Sequence, residues 1–119
     1  MIYRSDYMEK IKVFKNTPLV KILTGVRRCG KSTILQMLKE ELIRDGIPEE
    51  NIIEKRYTDM DIPENISAKQ MYDELIEAIG KKEPCYLLLD EIQEVPDWER
   101  VVNTLLEDGK ADIYITGSN

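Results

Sequence analysis

Leu19-Val20-Lys21-Ile22-Leu23-Thr24-Gly25-Val26-Arg27-Arg28-Cys29-Gly30-Lys31-Ser32-Thr33-Ile34-Leu35-Gln36-Met37-Leu38 is the stretch on which the reading of the fold turns. Its middle, Gly25 to Ser32, fits G-x-x-x-x-G-K-[ST], the phosphate-binding P-loop pattern. An apolar run precedes the pattern and a helical period follows it, which is the strand–loop–helix setting the chemistry requires. The glycines let backbone N–H groups turn inward around a phosphate with no Cβ in the way. A helix start adds unpaired N–H groups and a positive dipole end. Lys31 can bring a point charge to the outer phosphates, and the Ser32 hydroxyl can ligate Mg2+. The phosphate-cradling set is then Gly25, Val26, Arg27, Arg28, Cys29, Gly30, Lys31, Ser32 and Thr33. A glycine-containing turn with no ligand is the plainer alternative. The agreement of the full pattern with both flanks argues against it.

Outward from that stretch, strands and helices alternate. Ser5 to Lys15 has a helical period in Tyr7, Met8, Ile11 and Phe14, broken by Asn16-Thr17-Pro18. The helix after the P-loop is expected to run to about Arg44, ended by Asp45-Gly46 with Pro48 beyond. Ile52 to Thr58 reads as a strand whose Glu54, Lys55 and Arg56 suit a sheet edge. Ser67 with Gln70 three residues on forms a capping box before a helix burying Ala68, Met71, Tyr72, Leu75 and Ile79. Pro84 to Leu89 is a continuous apolar run, the mark of a central strand covered on both faces. Asp97 is expected to cap a helix whose Trp98, Val101, Val102, Leu105 and Leu106 face inward, and Ala111 to Thr116 is the last strand. The pattern predicts an α/β fold: a parallel sheet with helices on both faces, in one domain over residues 1–119.

Composition narrows the chemistry. The 119 residues are 42% hydrophobic and 34% charged, the balance of a soluble globular chain. No apolar run approaches the ~20 residues a membrane span needs, and the first residues lack the apolar core of a secretory signal. Two cysteines make no disulfide framework, so the expected compartment is the reducing cytoplasm. A net charge of −6 argues against generic nucleic-acid affinity without excluding a local basic patch. With no histidine in the chain, histidine-based catalysis and histidine metal sites are excluded.

Ligands of such sheets bind at the carboxyl ends of the strands, and three strands end there in useful residues. Besides the P-loop, Leu87-Leu88-Leu89-Asp90 is a Walker B pattern in which Asp90 can hold Mg2+, usually through its water shell. Glu91 follows and can accept a proton from an attacking water. Gln93 could orient that water or relay nucleotide state, or be a surface glutamine. Ser118 and Asn119 could hydrogen-bond the γ-phosphate or the water, though small polar residues are common at loop starts. Arg27 and Arg28 could reach phosphate or a neighbouring subunit, or point to solvent. Cys29 lies where thiol pKa values fall, with a small fitting residue as the plainer role. Cys85 and Trp98 read as packing residues.

At Leu87-Leu88-Leu89-Asp90-Glu91-Ile92-Gln93, together with Thr24 to Ser32 and Ile115-Thr116-Gly117-Ser118-Asn119, the chain resembles the prokaryotic AAA+-type ATPases known from genomes. Many of these carry an uncharacterised domain after the ATPase core. The resemblance covers essentially the whole chain. It implies the strand order 2-3-4-1 with a fifth strand beyond the first, Glu91 as catalytic acid, Ser118 or Asn119 at the first sensor position, and ATP rather than GTP as ligand with Mg2+. The chain departs from that family by stopping after the fourth strand, without fifth strand, second sensor, downstream arginine finger or helical lid. The expectation is an N-terminal part of a longer ATPase, with a C-terminal domain beyond it, or a homo-oligomer in which a second copy covers the Leu19–Leu23 edge. Two rivals stand beside hydrolysis: a nucleotide-gated binding or signalling module with little turnover, and a P-loop kinase acting on a small molecule. Against the kinase stand Glu91, suited to activating water, and the lack of an Arg-rich lid.

Overall fold

The computed structural model describes residues 20–23, 31–60 and 62–117, with residues 20–23 and 31–33 given by their backbone. In chain order these hold strand β1 (Val20–Leu23), helix α1 (Lys31–Arg44), β2 (Ile52–Arg56), α2 (Ala68–Ile79), β3 (Tyr86–Asp90), α3 (Trp98–Glu107) and β4 (Asp112–Thr116). Short 3-10 turns precede β2 at Glu49–Asn51 and follow β3 at Ile92–Glu94. The expected helix over residues 5–15 lies outside the described residues.

Among the described residues the four strands form one sheet in the order β1-β4-β3-β2, every neighbouring pair parallel. This is the order 2-3-4-1 that the resemblance implies. Within it β1 and β2 are the terminal strands. The charged strand β2 therefore does take an edge, and the apolar β3 takes the interior.

Alternation along the strands builds two cores, because successive side chains of a strand point to opposite faces. Leu87 and Leu89 of β3 and Ile113 and Ile115 of β4 join Met71, Leu75 and Ile79 of α2 and Val101, Val102 and Leu105 of α3. Tyr86, Leu88 and Tyr114 join Ile34, Leu35, Leu38 and Leu42 of α1 on the opposite face. Both inner strands are thus buried from end to end, as a doubly covered parallel sheet requires. Burying a Leu or Ile side chain stabilises by about 1.5–3 kcal/mol, so the two layers dominate the stability. The α1 face also accommodates polar groups in pairs. The Tyr114 hydroxyl donates to Asp112 Oδ2 at 3.3 Å, and burial, then the Asp112 charge, push the phenol pKa upward. Lys39 of α1 reaches Glu54 of β2 at 2.8 Å and Glu49 at 3.3 Å, which ties the helix to the edge strand.

Local signals decide the helix ends. Gly46, at φ +100°, lets the chain reverse after α1. Its N–H bonds the Ile43 carbonyl and the Ile47 N–H bonds that of Leu42, the paired pattern of a Schellman stop. Ile47 then packs on the α1 core. At the start of α2 both halves of the capping box are present: Ser67 Oγ accepts the Gln70 N–H, and Gln70 Oε1 accepts the Ser67 N–H.

Some expectations are corrected. Asp97 stands at the N-cap of α3 but caps nothing with its side chain, because its backbone is left-handed, φ 59°. Capping requires an extended N-cap backbone that aims the side-chain oxygen at the second or third helical N–H. The strand expected to reach Thr58 ends at Arg56, whose carbonyl accepts the Asp59 N–H and turns the chain. Ala68, Tyr72 and Trp98 do pack against the core, as expected, though each is half-buried, and Leu106 is half-buried as well. Cys85 is buried, its thiol pKa raised by that burial, in keeping with a packing role. Among the described residues no helix is long and apolar enough to cross a membrane.

Candidate functional site

The parity that buries Tyr86 and Leu88 against α1 sends the next residue of that series, Asp90, to the same face. Likewise Thr116 of β4 follows Tyr114. These two polar residues end adjacent strands at the carboxyl edge, on the side of the sheet that carries α1. Lys31, Ser32 and Thr33 are the opening residues of that helix. The loop leading into it, Gly25 to Gly30 with Val26, Arg27, Arg28 and Cys29, lies outside the described residues, as do Ser118 and Asn119.

Asp90 is only 5% exposed, and a buried carboxylate needs partners. Thr116 Oγ donates to Asp90 Oδ1, and Arg56 Nε donates to Oδ2 at 3.2 Å. The Thr116 hydroxyl also accepts the Glu91 N–H at 3.1 Å. A single buried hydroxyl therefore fixes the orientation of Asp90 and the backbone of Glu91 together.

At Glu91 the backbone turns left-handed, φ 54° and ψ 49°. For a non-glycine residue that conformation costs on the order of 1 kcal/mol and persists only where the surroundings hold it. The turn swings the half-buried Glu91 away from the strand direction. Gln93 then donates from Nε2 to Glu91 Oε1 at 3.1 Å. A Cβ on Gly117 would stand 2.8 Å from Gln93 Oε1, closer than side-chain contacts come, so the bare glycine lets Gln93 seat against the end of β4. Gln93, which sequence alone left open between relay and surface glutamine, is thus part of the Glu91 arrangement.

A cavity of about 260 Å3 opens on this side, between Leu35 and Gln36 of α1 and Glu54, Arg56, Leu88 and Asp90 of the sheet. A wider groove, about 770 Å3, is lined by residues 57–60 and 62–68 on one side and by Glu94, Pro96 and Asp97 on the other. Neither Asp90 nor Glu91 lines it. Among the described residues no group of three or more His, Cys, Asp or Glu could cage a metal. The hard oxygen of Asp90, which shares the smaller cavity with Leu35 and Gln36 of α1, suits the other kind of site. There Mg2+ keeps waters and takes one or two protein oxygens together with phosphate.

Two residues of the arrangement were not singled out from the sequence. Arg56 looked like an edge-strand charge, and Thr116 like the last residue of an apolar strand. For Thr116 a signal existed: a lone hydroxyl in phase with Tyr114 at the end of a strand buried on both faces. For Arg56 none existed, because the pair joins residues 34 apart through the β2–β3 register.

The profile of a family described as "AAA domain" matches residues 17–119. An uncharacterised protein of Haemophilus influenzae is 36% identical over 121 residues, covering 100% of this chain and 30% of its own length. An uncharacterised protein of Methanocaldococcus jannaschii is 31% identical over 110 residues, covering 92% of this chain and 23% of its own. The chain thus spans less than a third of these relatives. No solved structure matches it.

Proposed function

The chain belongs to the AAA domain family, a family of ATPase-like nucleotide-binding modules, and from that premise we propose that it binds ATP with Mg2+ and hydrolyses it. The observation that carries the reading is Asp90, held by Thr116 at the carboxyl end of β3 on the α1 face of the sheet. In this reading the backbone of Gly25 to Thr33 cradles the phosphates and the Lys31 amine supplies positive charge to the outer ones. Ser32 and Asp90 would hold Mg2+, and the ion would supply charge neutralisation to the phosphates. Glu91 orients the attacking water and accepts its proton, with Gln93 steadying the carboxylate. Ser118 and Asn119 line the γ-phosphate end. The work is positioning and charge neutralisation, which is how phosphoryl transfer is chiefly accelerated.

A nucleotide-gated module with little turnover is the second reading. It is favoured by one contact: the Glu91 carboxylate is engaged by Gln93, so a change of nucleotide state could be passed to the Ile92–Glu94 turn. In both readings the chain is the nucleotide-binding part of a longer protein, acting on a further domain or on a second copy of itself.

Calorimetry of ATP, ADP and GTP with Mg2+ tests the first reading on the wild type and on Lys31→Ala. ATP and ADP are expected to bind the wild type, and Lys31→Ala to lose at least tenfold in affinity, about 1.4 kcal/mol. Equal binding by the two proteins would remove Lys31 from the site.

A further inference from the structure

Arg56 is the last residue of β2 and stands opposite Asp90 in the β2–β3 register. Its Nε lies 3.2 Å from Asp90 Oδ2, with the arginine side chain 49% exposed and the aspartate side chain 7%. The two oxygens of Asp90 have partners of different kinds. Oδ1 is bound by the hydroxyl of Thr116, itself fully buried on an inner strand. Oδ2 is bound by a cation on an edge strand, whose long side chain borders the cavity shared with Gln36 and Asp59 and can move into water without opening the core.

The carboxylate that Arg56 grips is the one assigned above to Mg2+. A second cation brought to the same carboxylate is repelled by the first, and an exposed arginine is the partner able to withdraw. Resting on the nucleotide-site reading, we propose that Arg56 is a positioning residue. It stands in for the metal at Asp90 while none is bound, and it yields Oδ2 when Mg2+ and ATP arrive. Arg56 thereby sets the Mg2+ concentration at which ATP is taken up. Thr116 keeps the aspartate aimed throughout, so the exchange of cations leaves the strand ends in place.

The test is an ATP titration by calorimetry at a series of MgCl2 concentrations, on the wild type, Arg56→Gln and Arg56→Lys. Removing the competing charge is expected to lower the Mg2+ concentration for half-maximal ATP affinity by about threefold in Arg56→Gln, the size of a half-exposed ion pair. Arg56→Lys, which keeps the charge, is expected to track the wild type. Melting curves give an independent readout. Arg56→Gln is expected to melt lower than the wild type in EDTA and level with it in saturating Mg2+ and ATP. An unchanged or raised Mg2+ requirement in Arg56→Gln would overturn the proposal. So would an equal loss of melting temperature in both conditions, which marks a merely structural ion pair. Should either of those results come with a wild type that binds ATP, only the role of Arg56 falls; if the wild type binds none at any Mg2+ concentration, the nucleotide-site reading falls and this inference with it.

Discussion

Replacing Glu91 with glutamine is expected to leave Mg2+-dependent ATP binding within about twofold of the wild type and to lower phosphate release by about 10²–10⁴-fold, the span that general-base catalysis contributes. The amide keeps the length and shape of the carboxylate. It also keeps an oxygen where Glu91 Oε1 now accepts the Gln93 Nε2 hydrogen, so the left-handed turn at residue 91 has no reason to relax. What is lost is the capacity to take a proton from water. Steady-state phosphate release, beside calorimetric ATP affinity, checks both halves of the expectation. Unreduced turnover would exclude Glu91 as the base. If turnover collapses while partner recruitment and cellular function persist, the protein works as a nucleotide-gated module, and hydrolysis is incidental to it.

Thr116→Val is expected to have the largest effect on stability of any change at the site. The isosteric methyl removes the donor to Asp90 Oδ1 and the acceptor of the Glu91 N–H at one stroke. Thr116 is fully buried, so water does not readily replace the hydroxyl. Each buried polar group that loses its partner costs about 1–3 kcal/mol, and chemical denaturation should show a loss of about 2–4 kcal/mol. Thr116→Ser retains the hydroxyl and should recover most of it. A loss within about 0.5 kcal/mol for the valine variant would mean that the hydroxyl does not hold the two acids, and the account of how the strand ends are fixed would need replacing.

The contrast between Ser67 and Asp97 shows which parts of the fold could be read without coordinates. Ser67 and Gln70 form a reciprocal pair within one turn, so the sequence carries both halves of the interaction. Asp97 offers a capping residue type, but the cap depends on a backbone conformation set by the preceding turn through Glu91 to Pro96, and residue type does not report that. The apolar run of β3 and the charged β2 announced centre and edge because burial acts on whole strands. The candidate site divides in the same way. Asp90 and Glu91 were legible because they end a recognisable strand. The contacts of Arg56 and Thr116 with Asp90 depend on which residues face each other across three strands, 34 and 26 residues apart. That is a property of register, and spacing along one chain does not encode it visibly.

The central claim is that the start of α1 and the end of β3 hold a triphosphate and its metal between them. A crystal structure with a non-hydrolysable ATP analogue and Mg2+ measures this directly. The account predicts the phosphates against residues 25–33, the Lys31 amine on the outer phosphate, and the metal between the Ser32 hydroxyl and the Asp90 carboxylate. An analogue bound elsewhere, or a Lys31 amine far from Asp90 with no cavity between them, would contradict it.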